Sequence, residues 1–251
     1  MTGRRSLIAI ARDSRADLPF EAVSSLLLGA IELGLREAWK ELLQNQTAYK
    51  MNVNKDEEHF ISEPLVRAIN FLRENNKKEP FSTLAKYFDH ATVGSGFRNY
   101  KNEEIQQPDL VFKPNISPHA GIDAQYYAIF IEAKIISEKP HQRIGNYFRD
   151  GVVRFIDGRY AWAMRHGLML AYVRGVNLDA PTAIKNYLAK PKRCEAFALE
   201  NSNLRVNPPN PSPKIHQTVH SRSWSYMDDQ GSPGEITIRH LWLSVTSDSE
   251  I

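Results

Sequence analysis

The stretch Ile129-Phe130-Ile131-Glu132-Ala133-Lys134-Ile135-Ile136 sets a carboxylate and an ammonium two residues apart in an otherwise apolar run. Such a run reads as a β-strand, in which alternate side chains share a face. Glu132 and Lys134 then stand with Phe130 and Ile136, while Ile129, Ile131, Ala133 and Ile135 line the opposite face. Desolvating two charges in these surroundings is costly unless they pair or bind an ion. A second strand opens at Pro108-Asp109 and continues through Leu110-Val111-Phe112. Proline is tolerated at a strand start because it lacks only a ladder donor. If the two strands are adjacent and antiparallel, Asp109 comes close to Glu132. Two carboxylates so placed either raise a pKa or recruit a cation. Magnesium takes hard oxygen ligands and keeps several waters, which leaves room for a phosphate oxygen and an attacking water. Lys134 would orient that water or offset charge building on the phosphate.

Pro108-Asp109 followed by Glu132-Ala133-Lys134 resembles the signature of the PD-(D/E)xK nuclease superfamily. The resemblance covers about residues 95–175 and implies a restriction-endonuclease-like fold, a small mixed sheet flanked by helices. It implies that Asp109 and Glu132 hold magnesium, or manganese in its place, with help from the Ala133 carbonyl, and that Lys134 assists the nucleophile. It implies an endonuclease acting on DNA, as a restriction enzyme or an effector of anti-phage defence. The alternative is a nuclease-like subunit that binds nucleic acid in a larger complex without cutting it. RecB-like members carry Gln-x-x-x-Tyr after the lysine. Here Gln142 and Tyr147 are one residue too far apart for that pattern, and Gln142 receives no role.

Basic residues follow the motif. Arg143, Arg154 and Arg165 are eleven apart, nearly three helical turns, and on an unbroken helix would track a phosphate backbone. A solvated helix face accounts for them equally well. Tyr160 and Trp162 offer rings for base stacking, although such rings more often belong to the core. Arg222, with His220, is a candidate phosphate contact. His216, His220 and His240 gather toward the C-terminus, but a zinc site would need more convergent ligands. Glu32, Glu37 and Glu41 lie on the first long helix, where surface charge is the default reading. Cys194 is the one cysteine. No internal disulfide can form, as suits a reducing compartment.

The elements that must position these residues follow from periodicity. Asp17 and Pro19 suggest a helix start, and Leu27, Ile31, Leu35, Ala38 and Leu42 recur at helical spacing to about Gln46. Ser62 and Pro64 suggest the start of a second helix through Leu65, Ile69 and Leu72, and a third covers 81–88. Strands are expected at 108–113 and 126–136, joined by a loop holding Pro114, Asn115, Pro118 and Gly121. Residues 140–166 return to helical spacing, with Gly151 and Gly158 interrupting, so that one helix or two short ones fit. A buried strand at 167–173, a helix at 180–199, a loop at 207–213 and a hairpin of 215–226 with 235–245 complete the order. The whole reads as an α/β or α+β fold with a mixed sheet: one nuclease domain over 1–251, its core at about 90–175, preceded by a helical region at 17–90 and followed by a helix and hairpin at 180–246.

Composition sets outer bounds. The chain has 251 residues, 42% hydrophobic and 24% charged, which suits an ordinary globular protein able to bury a core without staples. A net charge of +3 neither demands nor excludes nucleic acid. Arg12 and Asp13 interrupt the N-terminal apolar run too early for a signal peptide, and no membrane span is evident, so a cytoplasmic protein is expected. A homo-oligomer or a partner protein is expected for cutting two strands, because one such site cuts one strand at a time.

Overall fold

The computed structural model describes residues 18–101, 104–115, 125–175, 180–205, 215–226 and 231–245. The N-terminal run with Arg12 and Asp13, Pro118 and Gly121 of the inter-strand loop, the loop at 207–213 and part of the final turn lie outside the described residues. The element order is α1 (Ser25–Gln44), α2 (Glu58–Asn75), α3 (Phe81–Tyr87), β1 (Phe97–Arg98), β2 (Ile105–Gln106), β3 (Leu110–Phe112) and β4 (Ile129–Ile136). A broken helical segment follows, with α4 (Ile144–Asn146), a π turn (Tyr147–Val152) and α5 (Val153–Ile156). Then come β5 (His166–Val173), α6 (Ala180–Leu188), α7 (Pro191–Ala196), β6 (Leu199–Arg205), β7 (Ile215–His220) and β8 (Ile236–Ser244).

Six strands form one mixed sheet in the order β3-β4-β5-β8-β7-β6. β4, β5 and β8 run parallel to one another, while β3, β7 and β6 pair antiparallel with their neighbours. The expected mixed sheet flanked by helices is what the structure shows. The central strands are buried almost throughout, as near-continuous apolar runs covered on both faces require.

On one face, α1 and α2 bury Ile31, Leu35, Trp39, Ile61, Leu65 and Ile69. Trp39 stacks on Tyr172 of β5 with ring centroids 5.3 Å apart, and the Tyr172 hydroxyl lies 2.9 Å from Ser62 Oγ. On the opposite face, Tyr147, Phe148, Val152 and Phe155 pack from the broken segment. Gly151 sits so close to the sheet that a Cβ there would meet Met169 Cε at 2.4 Å.

Several boundaries differ from expectation for local reasons. α1 starts at Ser25, because the Ser24 hydroxyl accepts from Leu27 N and caps it; Pro19 does not open it, and Asp17 lies outside the described residues. α2 starts at Glu58, four residues before Ser62, and carries Pro64 inside. There the ring removes the N–H that would close onto the Phe60 carbonyl. The segment after β4 is neither one helix nor two clean ones. The π turn interrupts it, and Gly158, at φ +75°, follows its end. The expected helix over 180–199 is two short helices, and the polar run LENSNLR adds an unforeseen edge strand, β6.

Glu32 departs from the surface-charge reading. Its carboxylate forms a fork with Arg239 of β8, Nη2 to Oε2 at 2.7 Å and Nε to Oε1, and both residues are 1% exposed. This pair fastens α1 to the centre of the sheet.

The C-terminal histidines form a buried chain rather than a zinc centre. His220 Nδ1 lies 2.6 Å from the Phe197 carbonyl, His220 Nε2 2.7 Å from Thr218 Oγ1, His240 Nε2 2.8 Å from the same hydroxyl, and His240 Nδ1 2.8 Å from the Tyr147 hydroxyl. A carbonyl only accepts, which fixes every proton when the rings are neutral. His220 Nδ1 donates to Phe197, Thr218 donates to His220, His240 donates to Thr218, and Tyr147 donates to His240. Burial lowers the His220 pKa to about 4, and burial with the neighbouring His216 and His220 holds His240 well below the usual histidine range. A depressed histidine stays neutral in the folded state and charges only on unfolding. Its stabilisation is therefore complete above about pH 6.5 and is lost as pH falls toward about 4. We expect His220 alone to account for about 2–3 kcal/mol of acid destabilisation across that window. Chemical denaturation at stepped pH should show a shallower slope for His220→Gln than for the wild type.

Candidate active site

The ladder between β3 and β4 stops where the sequence makes it stop. Leu110 pairs with Ile131, so the next residue of β4 that faces this edge, Ala133, would meet Pro108. The Asp109 side chain takes over there, and its Oδ2 accepts from Ala133 N at 2.7 Å. Two residues on, the same edge presents Ile135 N, which donates to Glu58 Oε1 at 3.0 Å. Two carboxylates from separate elements thus cap successive free amides of one strand. Gly94 helps to hold the first. Its N donates to the Pro108 carbonyl at 3.1 Å, and a Cβ there would lie 2.1 Å from that oxygen.

Between these clamps stand the paired charges of β4. Lys134 Nζ donates to Glu132 Oε1 at 2.8 Å, to the Ala133 carbonyl at 2.8 Å and to Glu58 Oε2 at 3.0 Å. Arg154 Nε lies 3.5 Å from Glu132 Oε1 and donates to the Asp150 carbonyl at 2.9 Å. Its Nη1 donates to the Tyr160 hydroxyl at 2.7 Å, and that hydroxyl donates to the Gln107 carbonyl at 2.7 Å.

Electrostatics follow from this crowding. Burial, then the Asp109 charge, push the Glu132 carboxyl up to about 7 despite Lys134 and Arg154. Burial likewise raises Asp109, against the pull of Lys134 and of the Ala133 amide. Burial pulls Lys134 down, but Glu132, Glu58 and Asp109 more than offset it and hold the ammonium above the ordinary lysine range. Burial and the Glu132 charge raise the Tyr160 phenol, so it remains a neutral hydrogen-bonding link.

The structure therefore brings together Asp109, Glu132, Ala133 and Lys134, as the two-strand reading expects, and adds Glu58 and Arg154. Glu58 was missed because the sequence placed the start of α2 too late. The acidic run Asp56-Glu57-Glu58 just ahead of Ile61 and Leu65 is the signal that would have found it, since acids favour a first helical turn. The other nucleic-acid candidates fare differently. Arg143 is exposed at the start of α4, but it does not share a helix with Arg154 in α5 or with Arg165 just before β5. Tyr160 is 1% exposed and packs edge-on against Phe155, so it offers no stacking face. Arg222 is corrected to a structural role. It is 4% exposed, and its guanidinium donates to the carbonyls of Ala161, Trp162, Met164, Pro233, Gly234 and Glu235.

By chemistry the donor set fits magnesium or manganese: three carboxylates and a main-chain carbonyl, all hard oxygens. Among the described residues, no three histidine, cysteine, aspartate or glutamate side chains stand as a ready-made metal cage. Here the Lys134 ammonium sits among the oxygens. Among the described residues, no helix is long and apolar enough to cross a membrane. Comparison of the chain with known protein families, curated proteins and solved structures finds no match to any of them.

Proposed function

We propose that this chain is a magnesium- or manganese-dependent endonuclease that hydrolyses phosphodiester bonds in DNA, on a restriction-endonuclease-like core. The observation that carries the reading is the pair of carboxylates, Asp109 and Glu58, clamped on successive free amides of β4 around Glu132 and Lys134. A structural ion pair would need only one acid for one lysine. Here three acids converge on a strand edge left open by Pro108.

Asp109, Glu132 and the Ala133 carbonyl would hold the metal, with Glu58 completing the oxygen set. A bound divalent ion supplies Lewis acidity toward the scissile phosphate and lowers the pKa of a bound water. Lys134 orients the attacking water or neutralises the phosphate. Arg154, braced by Asp150 and Tyr160, adds a second positive charge beside Glu132. A DNA substrate in the cytoplasm, in restriction or anti-phage defence, suits this chemistry. A second copy or a partner protein would supply the second cut of a duplex.

The test is purified protein with single-stranded DNA, duplex DNA and RNA. We expect cleavage with magnesium or manganese and none in chelator. Calcium should support binding with little turnover, since its looser coordination orients a water poorly. Full activity in chelator would overturn the reading. One observation favours a second reading, a DNA-binding subunit that does not cut on its own: the ammonium already fills the space among the oxygens. That reading predicts retention of DNA without cleavage in every metal.

The two arginines should separate in the same assays. Arg143→Ala should weaken DNA binding and lower the salt slope by about one, as for a single phosphate contact. Arg154→Ala should chiefly lower turnover. Unchanged salt dependence in Arg143→Ala would return that residue to the solvated surface.

A further inference from the structure

We propose that Lys134 is a placeholder cation: its ammonium occupies the seat of the divalent ion, and loading the site drives the lysine out toward the substrate. The inference rests on the metal-dependent reading above and concerns how that site is controlled.

A lysine ammonium has three donors and no acceptor. In Lys134 all three are matched, by Glu132 Oε1, the Ala133 carbonyl and Glu58 Oε2, at 2.8 to 3.0 Å. Those oxygens belong to the donor set that would ligate a divalent ion, and magnesium draws such ligands in to about 2.0–2.1 Å. An ammonium and a divalent ion cannot share one point among the same oxygens. The charges agree. Asp109, Glu132 and Glu58, fully ionised, set three negative charges against the two positive charges of Lys134 and Arg154. Exchanging the ammonium for a divalent ion balances the cluster.

Space allows the exchange. The lysine side chain keeps 14% of its surface in solvent. Gly151 on the π turn puts no side chain beside the lysine stem; a Cβ there would be in van der Waals contact with Lys134 Cγ, at 3.5 Å. Arg154 stands beside the seat, its Nε 3.5 Å from Glu132 Oε1 and donating to the Asp150 carbonyl, its Nη1 donating to Tyr160. The consequence is a site in which the catalytic lysine is withheld until the metal arrives. Without metal the ammonium holds the seat, and with metal the lysine is released to the nucleophile and phosphate.

The test is manganese binding by electron paramagnetic resonance on the wild type, Lys134→Met and Arg154→Met, alongside amine-reactive labelling of Lys134 read by mass spectrometry in chelator and in calcium. Lys134→Met should bind manganese about tenfold or more tightly than the wild type, as removal of a charge directly in the seat implies. Arg154→Met, which removes the same charge from beside it, should shift affinity by less. In the wild type, Lys134 should be protected in chelator and labelled in calcium. Equal manganese affinity in the wild type and Lys134→Met, or equal tightening by Arg154→Met, overturns the shared seat and leaves metal binding intact. Unchanged labelling does the same and requires no variant to fold. If no variant and no wild-type protein binds manganese, the metal reading and this inference fall together.

Discussion

Glu132→Ala, Asp109→Ala and Lys134→Ala are each expected to abolish cleavage, but for different reasons that three measurements separate. Removing either carboxylate removes a metal ligand, and phosphodiester hydrolysis then loses several kcal/mol of charge stabilisation, on the order of a thousandfold or more in rate. Calcium-supported DNA binding should fall with turnover in those two variants. Lys134→Ala should keep calcium-supported binding and lose only the chemistry. Melting should distinguish them again. Glu132→Ala removes a buried acid whose carboxyl is already pushed up to about 7, and Lys134 keeps Glu58 and the Ala133 carbonyl, so its Tm should stay close to the wild type. Lys134→Ala strips the countercharge from three crowded carboxylates and should melt lower unless calcium is present. Wild-type turnover in Lys134→Ala would remove the most distinctive residue of the proposed site. Loss of fold in all three would make Glu132 and Lys134 a structural pair.

The largest stability effect is expected far from the chemistry. Glu32→Ala should cost about 3–5 kcal/mol, because it strands a fully buried guanidinium between α1 and β8. Arg239→Ala should cost a similar amount. The double variant Glu32→Leu/Arg239→Met should recover most of the loss, since replacing both charges by apolar groups leaves nothing unpaired. Denaturant titration of the three proteins decides it. A double variant no more stable than the singles would show that the pair contributes attraction beyond mutual compensation.

What the sequence made legible is what period and chain order carry. Alternation in IFIEAKII set Glu132 and Lys134 on one face, and the antiparallel pairing of β3 with β4 brings Asp109 to them. Long-range pairings left weaker traces. Glu58 meets Lys134 across seventy-six positions, and Glu32 meets Arg239 across two hundred and seven. No local pattern encodes such contacts. Glu32 did carry a hint, since it sits among Leu28, Ile31 and Leu35 on the buried side of α1. A carboxylate in that stripe needs a buried partner. Arg222 misled for the opposite reason. An arginine beside a terminal strand looks free to meet phosphate, but the irregular segments at 161–164 and 233–235 turn their carbonyls toward it. The interrupted helix after β4 was ambiguous because the close approach of Gly151 to Met169, which belongs to tertiary packing, accompanies the π turn.

The most direct measurement is nicking of supercoiled plasmid by the wild type and Glu132→Ala side by side, each in magnesium and in chelator. The predicted result is relaxed and linear product from the wild type in magnesium alone, with none from Glu132→Ala in either buffer. Equal cleavage by the two proteins, or cleavage that survives the chelator, would contradict a metal-dependent nuclease built on Asp109, Glu132 and Lys134.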